Sequence, residues 1–121
     1  MQNNYAVGTD IVEIDRIREM HEHHGERFFN HIFSRQEVAW CKERADPDIH
    51  LSGRFAAKEA VKKALLTLGE KNIPLIDIEI LRDDGPPSVN VGSSIKNKYD
   101  FQISISHTQR YATAVAIVEC R

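Results

Sequence analysis

In YAVGTDIVEI, residues 5–14, Tyr5, Val7, Thr9, Ile11 and Glu13 fall on one face, and Ala6, Gly8, Asp10, Val12 and Ile14 on the other. That period of two predicts a β-strand. The period then changes. Residues 15–33 read as helix interrupted at Gly25, with Phe28, Phe29, Ile32 and Phe33 as apolar contacts. Ser34 is a good N-cap for RQEVAWCKER, and Glu37 three residues later completes a capping box. DPDIH starts a long helix over roughly 48–68, ended by Gly69 at a C′ position. PLIDIEIL (74–81) predicts a strand, DDGPP a turn, SVNV a short strand and SSIKNKY one or two helical turns. FQISISH and ATAVAIVEC predict antiparallel strands joined around TQRY. One strand, then helices, then mainly strands gives an α+β fold class, with the long helix packed on a mainly antiparallel sheet in a single domain, 1–121.

Inside the long helix, Ala57, Ala60, Val61, Ala64, Leu65 and Leu68 form one apolar face, and Leu51, Phe55 and Leu66 a second side with Glu59 beside them. A carboxylate there is either paired with Lys63, one turn on, or put to use. Asp10 poses the same problem, because it sits mid-strand on the face of Ala6, Val12 and Ile14, where an unpaired carboxylate is strongly disfavoured. Asp10 and Glu59 together make a hard, all-oxygen pair suited to Mg²⁺, with phosphates and water completing the shell. Arg54, Lys58, Lys62 and Lys63 on the same helix suit a polyanionic small molecule; their plainer reading is a solvated face. His107 and Thr108 close the strand ISISHT at a turn, where they could hydrogen-bond a phosphate.

Composition narrows the classes. The chain has 121 residues, 41% hydrophobic and 28% charged, with a net charge of −2, so no global basic field directs it to nucleic acid. No apolar run approaches a membrane span, and the N-terminus lacks the pattern of a signal peptide. Cys41 and Cys120 match no metal or redox spacing and read as free thiols, so the expected location is cytoplasmic. HEHHGER (21–27) lacks a third ligand for a metal and reads as a solvated helix end, and Trp40 reads as core. Both faces of the last two strands are apolar, which suits either cover by the chain's own helices or packing against a neighbour.

GTDIVEIDRI, GRFAAKEAVKKAL and ISISHT, in this order and spacing, resemble the holo-acyl-carrier-protein synthases, the small single-domain 4′-phosphopantetheinyl transferases. The resemblance covers essentially the whole chain. It implies transfer of 4′-phosphopantetheine from coenzyme A to a serine of apo-acyl carrier protein, releasing adenosine 3′,5′-bisphosphate, in support of fatty acid biosynthesis. It also implies Mg²⁺ as cofactor and a homotrimer with active sites at its interfaces. Motif by motif, Asp10 and Glu59 match the metal ligands and Lys63 the lysine near the coenzyme A phosphates; the acceptor expected for the serine proton is Glu59, directly or through a metal-bound water, with Asp10 or a carboxylate of the carrier as alternatives. Arg54, His107 and Thr108 match positions lining the nucleotide end, joined there by Lys58. Arg16, Met20 and Arg27 match the helix that docks the carrier. Pro87 matches a family proline, while Pro86 stands where a lysine is more common. Two rival readings use the same residues: a metal-dependent nucleotide hydrolase, and a noncatalytic subunit binding coenzyme A or the carrier.

Overall fold

The computed structural model describes residues 4–82 and 85–121, without the side chain of Ser93. Its elements are β1 (Tyr5–Glu13), α1 (Ile14–Ile32), α2 (Arg35–Lys42), α3 (Pro47–Thr67), a 3₁₀ turn (Leu75–Asp77), β2 (Glu79–Leu81), β3 (Ser88–Asn90), α4 (Ser93–Lys96), β4 (Tyr99–His107) and β5 (Tyr111–Cys120). One antiparallel sheet runs in the order β1-β5-β4, and β2 pairs with β3 in a second. This is the expected α+β architecture, with α3 packed across the larger sheet.

Small residues let α3 come close. The inward residues of β5, Ala112, Ala114, Ala116 and Val118, are buried, as are Ala56, Ala57, Ala60 and Ala64 of the helix. On β1 the approach is closer still: a Cβ on Gly8 would lie 1.8 Å from the backbone oxygen of Ala60. Only glycine fits at that contact. Gly8 precedes Asp10 by two residues, so the same close approach presents the Asp10 side chain to α3.

The helix signals hold. Glu37 N donates to Ser34 Oγ at 3.2 Å and Ser34 N to Glu37 Oε1 at 2.8 Å, completing the capping box. At the end of α3, Glu70 N donates to the Leu65 carbonyl and Gly69 N to that of Leu66, with Gly69 at φ 98°: the Schellman pattern. Gly25, at φ 55° and ψ −140°, interrupts α1.

The strand predicted over 74–81 shrinks to Glu79–Leu81. Asp77 N donates to the Pro74 carbonyl and Ile78 N to that of Leu75, closing a turn, while the Leu75 and Ile78 carbonyls are taken by the Lys58 ammonium. Backbone groups so engaged are lost to a ladder. Of the predicted DDGPP turn, Asp83 and Asp84 lie outside the described residues.

Among the described residues no helix covers the outer face of the β1-β5-β4 sheet. Tyr5, Val7 and Ile11 of β1 and Tyr111, Val115 and Ile117 of β5 are all exposed there. The sequence pattern allows cover either by the chain's own helices or by a neighbour. This chain supplies none among the described residues.

Candidate active site

Asp10, Glu59, Arg16 and Met20 line one pocket of ≈ 370 Å³, closed by Ile17, Phe55 and Tyr111 among others. Strand β1 supplies Asp10, helix α3 supplies Glu59, and the first turns of α1 supply Arg16 and Met20. The start of α1 is fixed by Ile14 N donating to the Arg110 carbonyl at 2.8 Å, which ties it to the β4–β5 hairpin. Glu59 is half-buried and makes no hydrogen bond or ion pair among the described residues.

The helix pair weighed for Glu59 does not form. Lys63 turns instead to β1, where Nζ donates to Asp10 Oδ1 at 3.2 Å and to the Thr9 carbonyl at 2.9 Å. Asp10 therefore has a cation in contact and Glu59, among the described residues, has none, an uneven pair of carboxylates on one pocket wall. No cluster of three or more His, Cys, Asp or Glu able to hold a metal occurs among the described residues. Two carboxylates alone leave most of a coordination shell to other oxygens, which fits Mg²⁺ better than zinc.

Arg54 lies elsewhere. It lines a second pocket with Trp40, Arg82, Glu43 and Ile80. It is 3% exposed, and its Nε and Nη2 have no hydrogen-bond partner among the described residues. Burial lowers the pKa of its guanidinium from the ordinary value. Trp40, expected in the core, is only half-buried. Its ring carries the guanidinium carbons of Arg44 at 3.7 Å and Arg54 at 4.1 Å, so the indole serves as a cation platform.

His50, which the sequence reading did not single out, bridges from this group to the end of β4. Its ring lies 5.4 Å from Trp40 and 6.1 Å from His107, and burial followed by the Arg54 charge lowers its pKa. Two guanidinium groups and two imidazoles thus form a strip from Arg44 and Arg54 to His107. Thr108 follows in the hairpin turn, where its Oγ1 accepts from the N–H groups of Arg110 and Tyr111. Its own hydroxyl proton remains available to donate. Pro87 sits half-buried immediately before β3, and Arg27 is exposed beyond the break at Gly25 and does not line the pocket of Arg16 and Met20.

Lys58 requires a correction, since its ammonium cannot face a ligand. It is fully buried, donating to Glu37 Oε1 at 2.6 Å, the Ile78 carbonyl at 2.6 Å and the Leu75 carbonyl at 3.1 Å. Burial pushes the Glu37 carboxyl up and the Lys58 ammonium down, each opposed by its partner's charge. Sequence reasoning saw the Glu37 cap but not this second duty, because the partner lies in another helix. The histidine cluster also needs revision. His23 and His24 are exposed, as a solvated helix end requires, but His21 is not: its Nδ1 lies 3.0 Å from Asp48 Oδ1 and its ring 4.2 Å from Phe29.

The sequence pattern of the 4′-phosphopantetheinyl transferase superfamily matches residues 6–116. The chain belongs to that superfamily. This transferase is similar to the holo-[acyl-carrier-protein] synthase of Chlamydia muridarum, with 46% identity over 118 residues, 95% of this chain and 94% of that one. The synthase of Protochlamydia amoebophila is 44% identical over 116 residues, covering 93% and 95%. Among solved structures, the transferase resembles a Bacillus anthracis holo-(acyl-carrier-protein) synthase in complex with CoA (3′,5′-ADP), with TM-score 0.79, 30% identity and 96% of both chains covered. A Helicobacter pylori synthase in complex with coenzyme A gives TM-score 0.80 at 30% identity, covering 93% and 99%.

Proposed function

We propose that this transferase moves 4′-phosphopantetheine from coenzyme A to a serine of apo-acyl carrier protein, giving holo-acyl carrier protein and adenosine 3′,5′-bisphosphate for fatty acid biosynthesis. The observation that carries this reading is the single pocket shared by Asp10, Glu59, Arg16 and Met20. It sets two carboxylates beside the residues that the family resemblance assigns to carrier docking. The whole chain, 1–121, acts as one domain in the cytoplasm. Both cysteines are free, and no helix among the described residues is long and apolar enough to cross a membrane.

Asp10 and Glu59 would hold Mg²⁺, which when bound supplies Lewis-acid polarisation of a phosphoryl oxygen. Lys63, anchored beside Asp10, places a positive charge where the leaving bisphosphate gains negative charge. The serine Oγ attacks the phosphorus bearing pantetheine; a new P–O bond forms as the pyrophosphate P–O bond breaks. The Glu59 carboxylate accepts the serine proton, a role its lack of a hydrogen-bonded partner leaves open. Arg54, His107, Thr108 and Pro87 bind the nucleotide end.

These two groups line different parts of one chain, which supports a site assembled between copies. The exposed face of Tyr5, Val7, Ile11, Val115 and Ile117 supports the same trimer. Ile117→Asp is expected to give a monomer by light scattering and to lose activity together with the trimer.

The deciding experiment incubates the protein with coenzyme A, Mg²⁺ and apo-acyl carrier protein and weighs the carrier by mass spectrometry. The phosphopantetheine mass increment is expected. Phosphate release without a carrier would show a hydrolase instead, and coenzyme A binding without turnover a noncatalytic subunit.

A further inference from the structure

The second pocket holds an imbalance of charge. Arg54 and Lys58 are both buried, one turn apart on the same side of α3, and Glu37 is the buried carboxylate beside them. Three of that carboxylate's roughly four acceptor positions are taken. Oε1 accepts from Lys58 Nζ at 2.6 Å and from Ser34 N at 2.8 Å, and Oε2 accepts from Ile80 N at 2.8 Å. Lys58 in turn spends its donors on Glu37 and two carbonyls. Arg54 is left with Nε and Nη2 unpartnered among the described residues, held by the Trp40 ring.

We propose that Lys58 is a positioning residue for coenzyme A: by occupying Glu37 it keeps Arg54 unpaired and ready for a phosphate of the ligand. The inference rests on the function proposed above. A buried guanidinium beside a buried carboxylate of opposite charge gains by pairing with it, because an isolated charge is costly in a low-dielectric interior. If Arg54 formed that pair, a phosphate would have to displace Glu37 before binding. The more buried lysine, with two backbone carbonyls to help hold it, removes this competitor in advance. Preorganisation of this kind lowers what the ligand must spend on rearranging the site.

The test uses the full chain and titration calorimetry with coenzyme A and with adenosine 3′,5′-bisphosphate, beside steady-state kinetics. Arg54→Met sets the scale, since losing a charge-assisted phosphate contact weakens binding by about tenfold or more. Lys58→Met frees Glu37 for Arg54 and is expected to raise the KM for coenzyme A on that scale, with the KM for carrier unchanged. Lys58→Met with Glu37→Gln removes the competitor and is expected to restore coenzyme A affinity to within about threefold of wild type. A purely structural role predicts that coenzyme A affinity follows the unfolding midpoint, which the double variant recovers only in part. A double variant as weak as Lys58→Met, or Lys58→Met binding like wild type, overturns the inference. Should Lys58→Met fail to fold, Glu37→Gln alone decides. Arg54 then stays unpaired and affinity is retained, whereas a loss equal to that of Arg54→Met overturns the role. Wild-type protein that binds no coenzyme A would overturn the proposed function itself, and a mass gain on the carrier upholds that function whatever the Lys58 variants do.

Discussion

Lys58 and Glu59 adjoin on α3, yet the helix turns one toward α2 and β2 and the other toward β1, and the two charges are handled in opposite ways. Lys58 is fully buried, and its bonds reach a carboxylate and two carbonyls. Glu59 is half-buried at a pocket wall and has no hydrogen bond among the described residues. A buried ion with every donor used is a fixed part of the fold, and its removal is felt as instability. A partly solvated carboxylate without a partner contributes little to stability and stays available to substrate. The two neighbours therefore separate structure from chemistry within one helical turn.

Exchanging the chemical member has the largest effect. Glu59→Gln keeps the shape and removes the charge, and turnover is expected to fall by about three orders of magnitude, within the range of a lost acid–base group. Its thermal unfolding midpoint should stay within about 2 °C of wild type, because no interaction of the fold is broken. Mass-resolved carrier modification and scanning calorimetry read the two halves. Near-normal turnover at saturating Mg²⁺ would remove Glu59 from the mechanism.

The structural member should show the reverse emphasis. Lys58→Met breaks the buried pair and strips two carbonyls of their donor, which is expected to cost about 3–5 kcal/mol of stability, less where Arg54 turns to Glu37 in its place. In a chain of this size that lowers the unfolding midpoint by about 10 °C or more. Adding Glu37→Gln should recover part of the loss, since the remaining group is no longer charged. A Lys58→Met variant as stable as wild type would mean that Arg54 fully replaces the lysine as partner of Glu37.

What was legible in the sequence follows the same divide. Asp10 and Glu59 stood out because each broke an apolar pattern, and a local pattern is what a sequence displays. The Ser34–Glu37 box and the Gly69 terminus were equally local. The role of Lys58 was not, for its partner is in another helix and its other two bonds go to backbone carbonyls, which leave no trace in residue identity. The same bonds cut short the strand predicted over 74–81. Trp40 reads as core by type alone; its place between two guanidinium groups depends on how α2 meets α3.

Arg16 tests the Glu59 side at a distance from the reacting atoms. It is exposed on the rim of the shared pocket. Arg16→Ala is expected to raise the KM for carrier several-fold and that for coenzyme A much less, with the difference shrinking as salt is added. The opposite ranking would place Arg16 at the nucleotide end.

The smallest effect concerns an ion pair at the surface, where solvent weakens what burial strengthens at Lys58. Arg18 Nη2 donates to Asp46 Oδ2 at 2.7 Å and Nη1 to Oδ1 at 3.1 Å, clasping α1 to the start of α3. The hydrogen bond from Arg18 holds the Asp46 carboxyl below its ordinary range. A lowered carboxylate adds stability that is present above its unfolded value, about 3.9, and lost as pH falls through its folded value. Arg18→Met should therefore be slightly less stable than wild type at neutral pH, and the gap should close as pH falls below about 4. Calorimetry across that range reads it. High salt should narrow the gap at neutral pH as well, because both partners are partly exposed. A gap independent of pH would instead assign the effect to packing of the arginine stem, and the clasp would resemble the buried pair more than its exposure suggests.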